Sequence, residues 1–64
     1  MKIKYDKETD IMYIRFSENK IDESIEEKPG IIIDYDDKGK VVAIEILNAS
    51  KTTESPNSVI YEVA

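Results

Sequence analysis

Apolar and polar positions alternate through most of residues 2–47, the period-two pattern of strands half buried in a sheet. Ile3 and Tyr5 share one face of a first strand over Lys2–Asp6, with Lys2, Lys4 and Asp6 on the other, and Lys7-Glu8-Thr9-Asp10 is a short polar turn. Ile11–Phe16 is the next strand, and both its faces carry apolar groups: Met12, Ile14 and Phe16 against Ile11, Tyr13 and Arg15. After the turn Ser17–Lys20, the stretch Ile21–Glu27 has only Ile21 and Ile25 among acidic residues. Such a strand suits a sheet edge, where charge discourages pairing with stray chains. Pro29-Gly30 signals a tight turn, since proline presets one central torsion and glycine accepts a positive φ. Ile31–Tyr35 is then an almost continuous apolar run fitting a central strand, Asp36–Lys40 is a hairpin loop with Gly39 at its left-handed position, and Val41–Leu47 is again apolar on both faces. Ser55-Pro56 has the pattern of a single helical turn inside a polar linker over 52–57, and residues 58–64 form a C-terminal segment, either strand or short helix.

The expected fold is therefore mainly β: a small antiparallel meander of about five strands in a single domain over residues 1–64, because the connections are short. Composition agrees. Eleven isoleucines and four valines stand against one leucine, and branching at Cβ suits a pleated surface better than a helix.

The arithmetic of burial adds a further expectation. A chain of 64 residues derives roughly 3–5 kcal/mol from one core, and without cysteine or histidine neither disulfides nor the usual zinc sites reinforce it. Ile11, Tyr13, Ile31, Ile33, Val41 and Leu47 cannot all lie on the one face that the rest of the chain covers. A second copy is the simplest cover for the other, making the protein a dimer with Ile11, Tyr13, Ile31, Ile33 and Tyr35 as candidate interface residues. The alternative is that the C-terminal segment folds back over that face.

Charge narrows the partners. Fourteen acidic and nine basic residues give a net charge of −5, with Arg15 the one arginine. No basic stripe is present to neutralise phosphates, so nucleic acid and anionic membrane are not expected partners, whereas a basic protein surface is. No apolar run approaches the roughly 20 residues of a membrane span, and Met1–Tyr5 has no signal-peptide character, so the expected compartment is the cytoplasm.

Candidate chemistry is sparse. Without histidine or thiol, the common nucleophilic and zinc mechanisms have no base, ligand or nucleophile, and the adjacent pair Ser50-Lys51 points to opposite faces if it lies on a strand. No catalytic residue and no cofactor are expected, and the chain is read as non-enzymatic. One metal pattern exists: with Asp34 as the first position of a calcium loop, Asp36, Gly39 and Glu45 fall at the third, sixth and twelfth, beside Asp37. Lys38 occupies the fifth position, where an oxygen ligand is required, and the flanks read as strands. Divalent-metal binding by Asp34, Asp36, Asp37 and Glu45 is thus the alternative to a protein-binding module.

Three segments carry a family resemblance: Tyr5-Asp6-Lys7-Glu8-Thr9-Asp10-Ile11-Met12-Tyr13-Ile14, Gly30-Ile31-Ile32-Ile33-Asp34-Tyr35-Asp36, and Gly39 with Ile44-Glu45-Ile46-Leu47-Asn48-Ala49-Ser50. Over residues 2–51 the chain resembles the short prokaryotic proteins grouped as Domain of Unknown Function 2283. Met12 stands where Leu is commoner and Asn48 where Asp is commoner, and the tail from Thr52 has no counterpart. The resemblance implies the β-rich fold and brings no activity, substrate or catalytic residue. Some relatives are encoded beside small toxins, so it also implies an antitoxin-like role.

Overall fold

The computed structural model describes residues 1–64. Its five strands are β1 (Lys2–Asp6), β2 (Ile11–Arg15), β3 (Glu23–Lys28), β4 (Ile31–Tyr35) and β5 (Val41–Leu47), followed by one helical turn, α1 (Ala49–Thr52). All neighbours are antiparallel. The fold is mainly β, an open five-stranded sheet with one short helix.

The strand order is β1-β2-β5-β4-β3, which corrects the simple meander. A meander would place β3 in the middle of the sheet, yet every residue of β3 is exposed and three of its six are glutamates. The apolar strands β2, β5 and β4 occupy the centre instead, and the acidic strand closes the far edge. The chain between β2 and β3 is accordingly a crossing loop rather than a tight turn. The Arg15 guanidinium shapes it, donating to the carbonyls of Ser17 (2.8 Å) and Asn19 (3.3 Å), and Asp22 enters the edge by donating its amide to the Tyr35 carbonyl.

The hairpins follow the turn chemistry of their residues. Between β1 and β2, the Asp6 carboxylate accepts the amides of Glu8 and Thr9, and Asp10 adopts a left-handed φ of 58°. Gly30 and Gly39 carry φ values of 81° and 77°, where a side chain would be strained.

The register sorts side chains into two unlike faces. Ile3, Ile14, Ile44, Ile33 and Ile25 stand opposite one another in turn, an unbroken isoleucine row across all five strands. Beside it run Tyr5, Met12, Ile46 and Ile31. The other face carries rows such as Lys4, Tyr13, Glu45, Ile32 and Glu26. Nothing forms a second layer. The molecule measures 33 × 31 × 19 Å, and only Met12, Val42, Ala43 and Ala49 are buried apolar residues.

Residues 58–64 form neither strand nor helix, correcting both readings of the C-terminal segment. They are too few to sustain a helix alone, and no edge of their own sheet takes them up. Ser55-Pro56 opens a turn closed by the Ser58 amide on the Ser55 carbonyl (2.9 Å), and the helical turn lies earlier, at α1. No helix is long and apolar enough to cross a membrane.

Candidate functional site

The main candidate is the isoleucine face. Ile44 is its centre, flanked by Ile14 on β2 and Ile33 on β4, and Ile14, Ile31, Ile33, Ile44 and Ile46 are all only half buried. Directly opposed β-branched side chains on neighbouring strands pack well along the sheet, and no second sheet lies over them.

Of the predicted interface residues, Ile31, Ile33 and Tyr35 alternate along β4 onto this face, while Ile11 and Tyr13 lie on the opposite one, level with Leu47 and Glu45. The five do not form one patch. Tyr35 lies beside the acidic edge and donates its hydroxyl to Glu27 Oε1 at 2.9 Å; that hydrogen bond, with some desolvation and the charge of Glu27, raises its pKa above 10.0. Sequence reasoning missed Ile14, Ile44 and Ile46. Their alternation was visible, but which parity on one strand joins which on another depends on register.

On the charged face an open depression of about 700 Å³ is bounded by Lys2, Lys4 and Arg15 together with Asp6, Glu18 and Glu45, around Ile11 and Tyr13. Its cations are partly spoken for: Arg15 pairs with Glu18 at 2.8 Å and donates to the Tyr13 hydroxyl at 3.3 Å. Mixed signs over a shallow floor make it a poor site for a single anionic ligand.

The calcium-loop residues do not converge. Asp34, on β4, accepts the Ser24 hydroxyl at 2.6 Å. Asp36 turns inward to hold its own hairpin, with Oδ1 accepting the amides of Lys38 and Lys40 at 2.9 Å each and Oδ2 accepting Asn19 Nδ2 at 3.2 Å. Those donors, the Lys40 amide foremost, lower its pKa below 3.8 against the opposing effect of desolvation. Asp37 is exposed in the turn, and Glu45 lies in the middle of β5 opposite Tyr13 and Ile32. No three acidic side chains are grouped to share an ion, so the loop spacing reflects hairpin chemistry.

A second unforeseen cluster centres on Asp10. Its Oδ1 accepts the Tyr5 hydroxyl (2.7 Å) and the Ser50 amide (2.9 Å), its Oδ2 accepts the Ser50 hydroxyl (2.6 Å), and its carbonyl accepts the Ala49 amide (2.9 Å). The residue preceding α1, Asn48, offers no side-chain cap. Asp10 therefore caps the helical turn from 40 residues away, satisfying amides that lack intrahelical partners. The Ser50 and Tyr5 hydroxyls depress the Asp10 pKa below 3.8, and that of Tyr5 rises above 10.0 in return. The cluster ties the β1–β2 turn to α1, and Ser50 is one end of that tie.

Comparison with the curated proteins and with the solved structures returns no match. A family model does match: the one described as Protein of unknown function (DUF2283), over residues 2–50, a span holding all five strands, Asp10 and Ser50. The chain belongs to the DUF2283 family, as its three motif segments indicated.

Proposed function

We propose that this protein is a non-enzymatic binding module that pairs with a second copy of itself through the isoleucine face. The observation that carries the reading is the unbroken isoleucine row, Ile3, Ile14, Ile44, Ile33 and Ile25, across all five strands of a sheet that no second sheet covers. The chain exposes 5124 Å², whereas a compact monomer of 7.3 kDa exposes about 4,200 Å². Much of the difference lies in residues 58–63, where Val59, Ile60, Tyr61 and Val63 are the most exposed of the large apolar side chains besides Met1. The radius of gyration, 12.3 Å, likewise exceeds the about 11 Å expected at this length. Two such faces meeting about a two-fold axis would form a sandwich, with isoleucines interdigitating across roughly 10 Å. The absence of histidine and cysteine and the scattering of the carboxylates support a role without catalysis.

The test is a pair of charge insertions read by light scattering after gel filtration. Ile44→Glu, at the centre of the row, should turn a dimer into a monomer, and Ile11→Glu, on the charged face, should leave the dimer intact. A dimer that survives Ile44→Glu refutes the reading.

The outer edge of β3 supports a second contact, to a basic protein, in keeping with an antitoxin-like role. The strand is wholly exposed and carries Glu23, Glu26 and Glu27, so an incoming strand would find both free backbone groups and complementary charge. Co-purification of a co-expressed basic partner, lost on changing these three glutamates to lysine, is the expected result; retention would count against the β3 edge.

A further inference from the structure

Residues 58–63 are the least satisfied part of the molecule. Val59, Ile60, Tyr61 and Val63 are 57, 83, 74 and 81% exposed, and the one backbone hydrogen bond in the segment is the turn bond from Ser58 to Ser55. Its pattern is that of a strand: Val59, Tyr61 and Val63 on one side, Ile60 and Glu62 on the other. We infer that this segment is an exchangeable sixth strand, which adds to the free β1 edge of a second copy within the dimer proposed above, and the inference rests on that dimer.

Three observations select the site. The β1 edge is open, since β1 pairs with β2 alone. Its alternation also matches the segment. With Tyr61 and Val63 extending the row of Ile3 and Tyr5, Glu62 falls on the side of Lys2 and Lys4, while Ile60 continues the same side. The opposite edge, β3, would set Glu62 among glutamates, which is unfavourable for a cross-strand neighbour. Finally, the turn at Ser55–Ser58 brings Pro56, Asn57 and Val59 around a shallow depression beside Ile3 and Tyr5, so the segment starts on the isoleucine face.

The same turn argues for exchange between copies. Ser55, at a left-handed φ of 46°, delivers the segment next to its own β1, yet no ladder bond to β1 forms. A facing sheet lies roughly 10 Å away in a sandwich. Extended chain covers about 3.3 Å per residue, so about three residues, Ser58–Ile60, cross the gap and Tyr61–Val63 remain to pair. Two-fold symmetry places both segments at once, adding backbone hydrogen bonds that the isoleucine contact alone lacks.

The absence of cysteine makes the test clean. Glu62→Cys and Lys4→Cys, made in separate full-length chains, mixed and oxidised, should give a disulfide-linked heterodimer at about 14.6 kDa, twice 7.3 kDa, in clear excess over either variant alone. Ending the chain after Asn57 should weaken the dimer by about tenfold or more, or about 1.4 kcal/mol. Should both substitutions in a single chain yield an internal disulfide, with the mass staying at 7.3 kDa after oxidation, the strand would lie in cis and the inference would be overturned. A dimer of the parent chain that forms no link between positions 4 and 62 would overturn it as well. Sedimentation equilibrium on the parent chain separates the two failures: a dimer without the link sinks the strand exchange alone, and a monomer sinks both.

Discussion

Gly39 offers a test in which one physical effect stands by itself. It lies in the Asp36–Lys40 turn at φ 77°, and a Cβ built there would meet nothing within 4 Å. Replacement by valine therefore introduces no clash, and the whole cost is torsional: a β-branched residue held in left-handed space, about 1–2 kcal/mol. The backbone has little freedom to escape, because the Gly39 amide bonds to the Asp36 carbonyl at 3.0 Å while the Asp36 carboxylate holds Lys38 and Lys40 on either side. Against about 3–5 kcal/mol available to a fold of this size, the loss is a large fraction. With a denaturant slope near 1 kcal/mol/M for a small protein, the urea midpoint of Gly39→Val should fall by about 1–2 M, measured by far-ultraviolet circular dichroism at one fixed protein concentration. Gly39→Asn, which tolerates the left-handed region, should recover most of the loss. An unchanged midpoint for valine, or asparagine as damaging as valine, would mean that left-handed strain at position 39 does not set the cost.

Other perturbations separate the remaining parts of the account. Val42 is fully buried at 0% exposure, so Val42→Ala should cost about 2–3 kcal/mol in urea unfolding, from two lost methyl-sized groups and the cavity they leave; a loss below half of that would mean the site collapses freely. Asp10→Ala removes the cap on α1, and amide exchange at Ser50 should accelerate while the β2 and β5 amides keep their protection; equal acceleration throughout would make Asp10 a determinant of the whole fold instead. Asp10 and Asp36 are both held below 3.8 in the folded chain, so each contributes stability above that value and loses it as pH falls from about 4 through the lowered folded values. Tyr5 and Tyr35, raised above 10.0, contribute below pH 10 and lose it as pH rises through their raised values. A melting temperature that is level between these limits and falls outside them is the expected profile, and Asp36→Asn should flatten its acid limb.

Local signals in the chain were strong where one residue decides one torsion or one face. Ile31–Tyr35 and Val41–Leu47 form β4 and β5 as their apolar runs and the flanking Pro29-Gly30 and Gly39 predict, and the acidic stretch occupies an edge. The order of strands was not readable in the same way. Short connections favour neighbours in sequence, but burying Ile14, Ile44 and Ile33 in adjacent strands while leaving Glu23, Glu26 and Glu27 in water outweighs that preference, so β5 inserts beside β2. The Asp10–Ser50 tie joins positions 40 apart, and neither residue type marks the other. Asp34, Asp36 and Glu45 illustrate the converse, a spacing that suggests a metal loop although each carboxylate has a separate local task or neighbour. The isoleucine face shows both limits together: its members follow from alternation along each strand, and their union into one row follows only from pairing between strands.

Whether the isoleucine face is covered by a second copy is decided by sedimentation equilibrium of the unmodified chain in dilute neutral buffer. The expected mass is about 14.6 kDa, twice the 7.3 kDa of the chain, falling to the single mass only on dilution. A mass of 7.3 kDa at every concentration up to the millimolar range would contradict it.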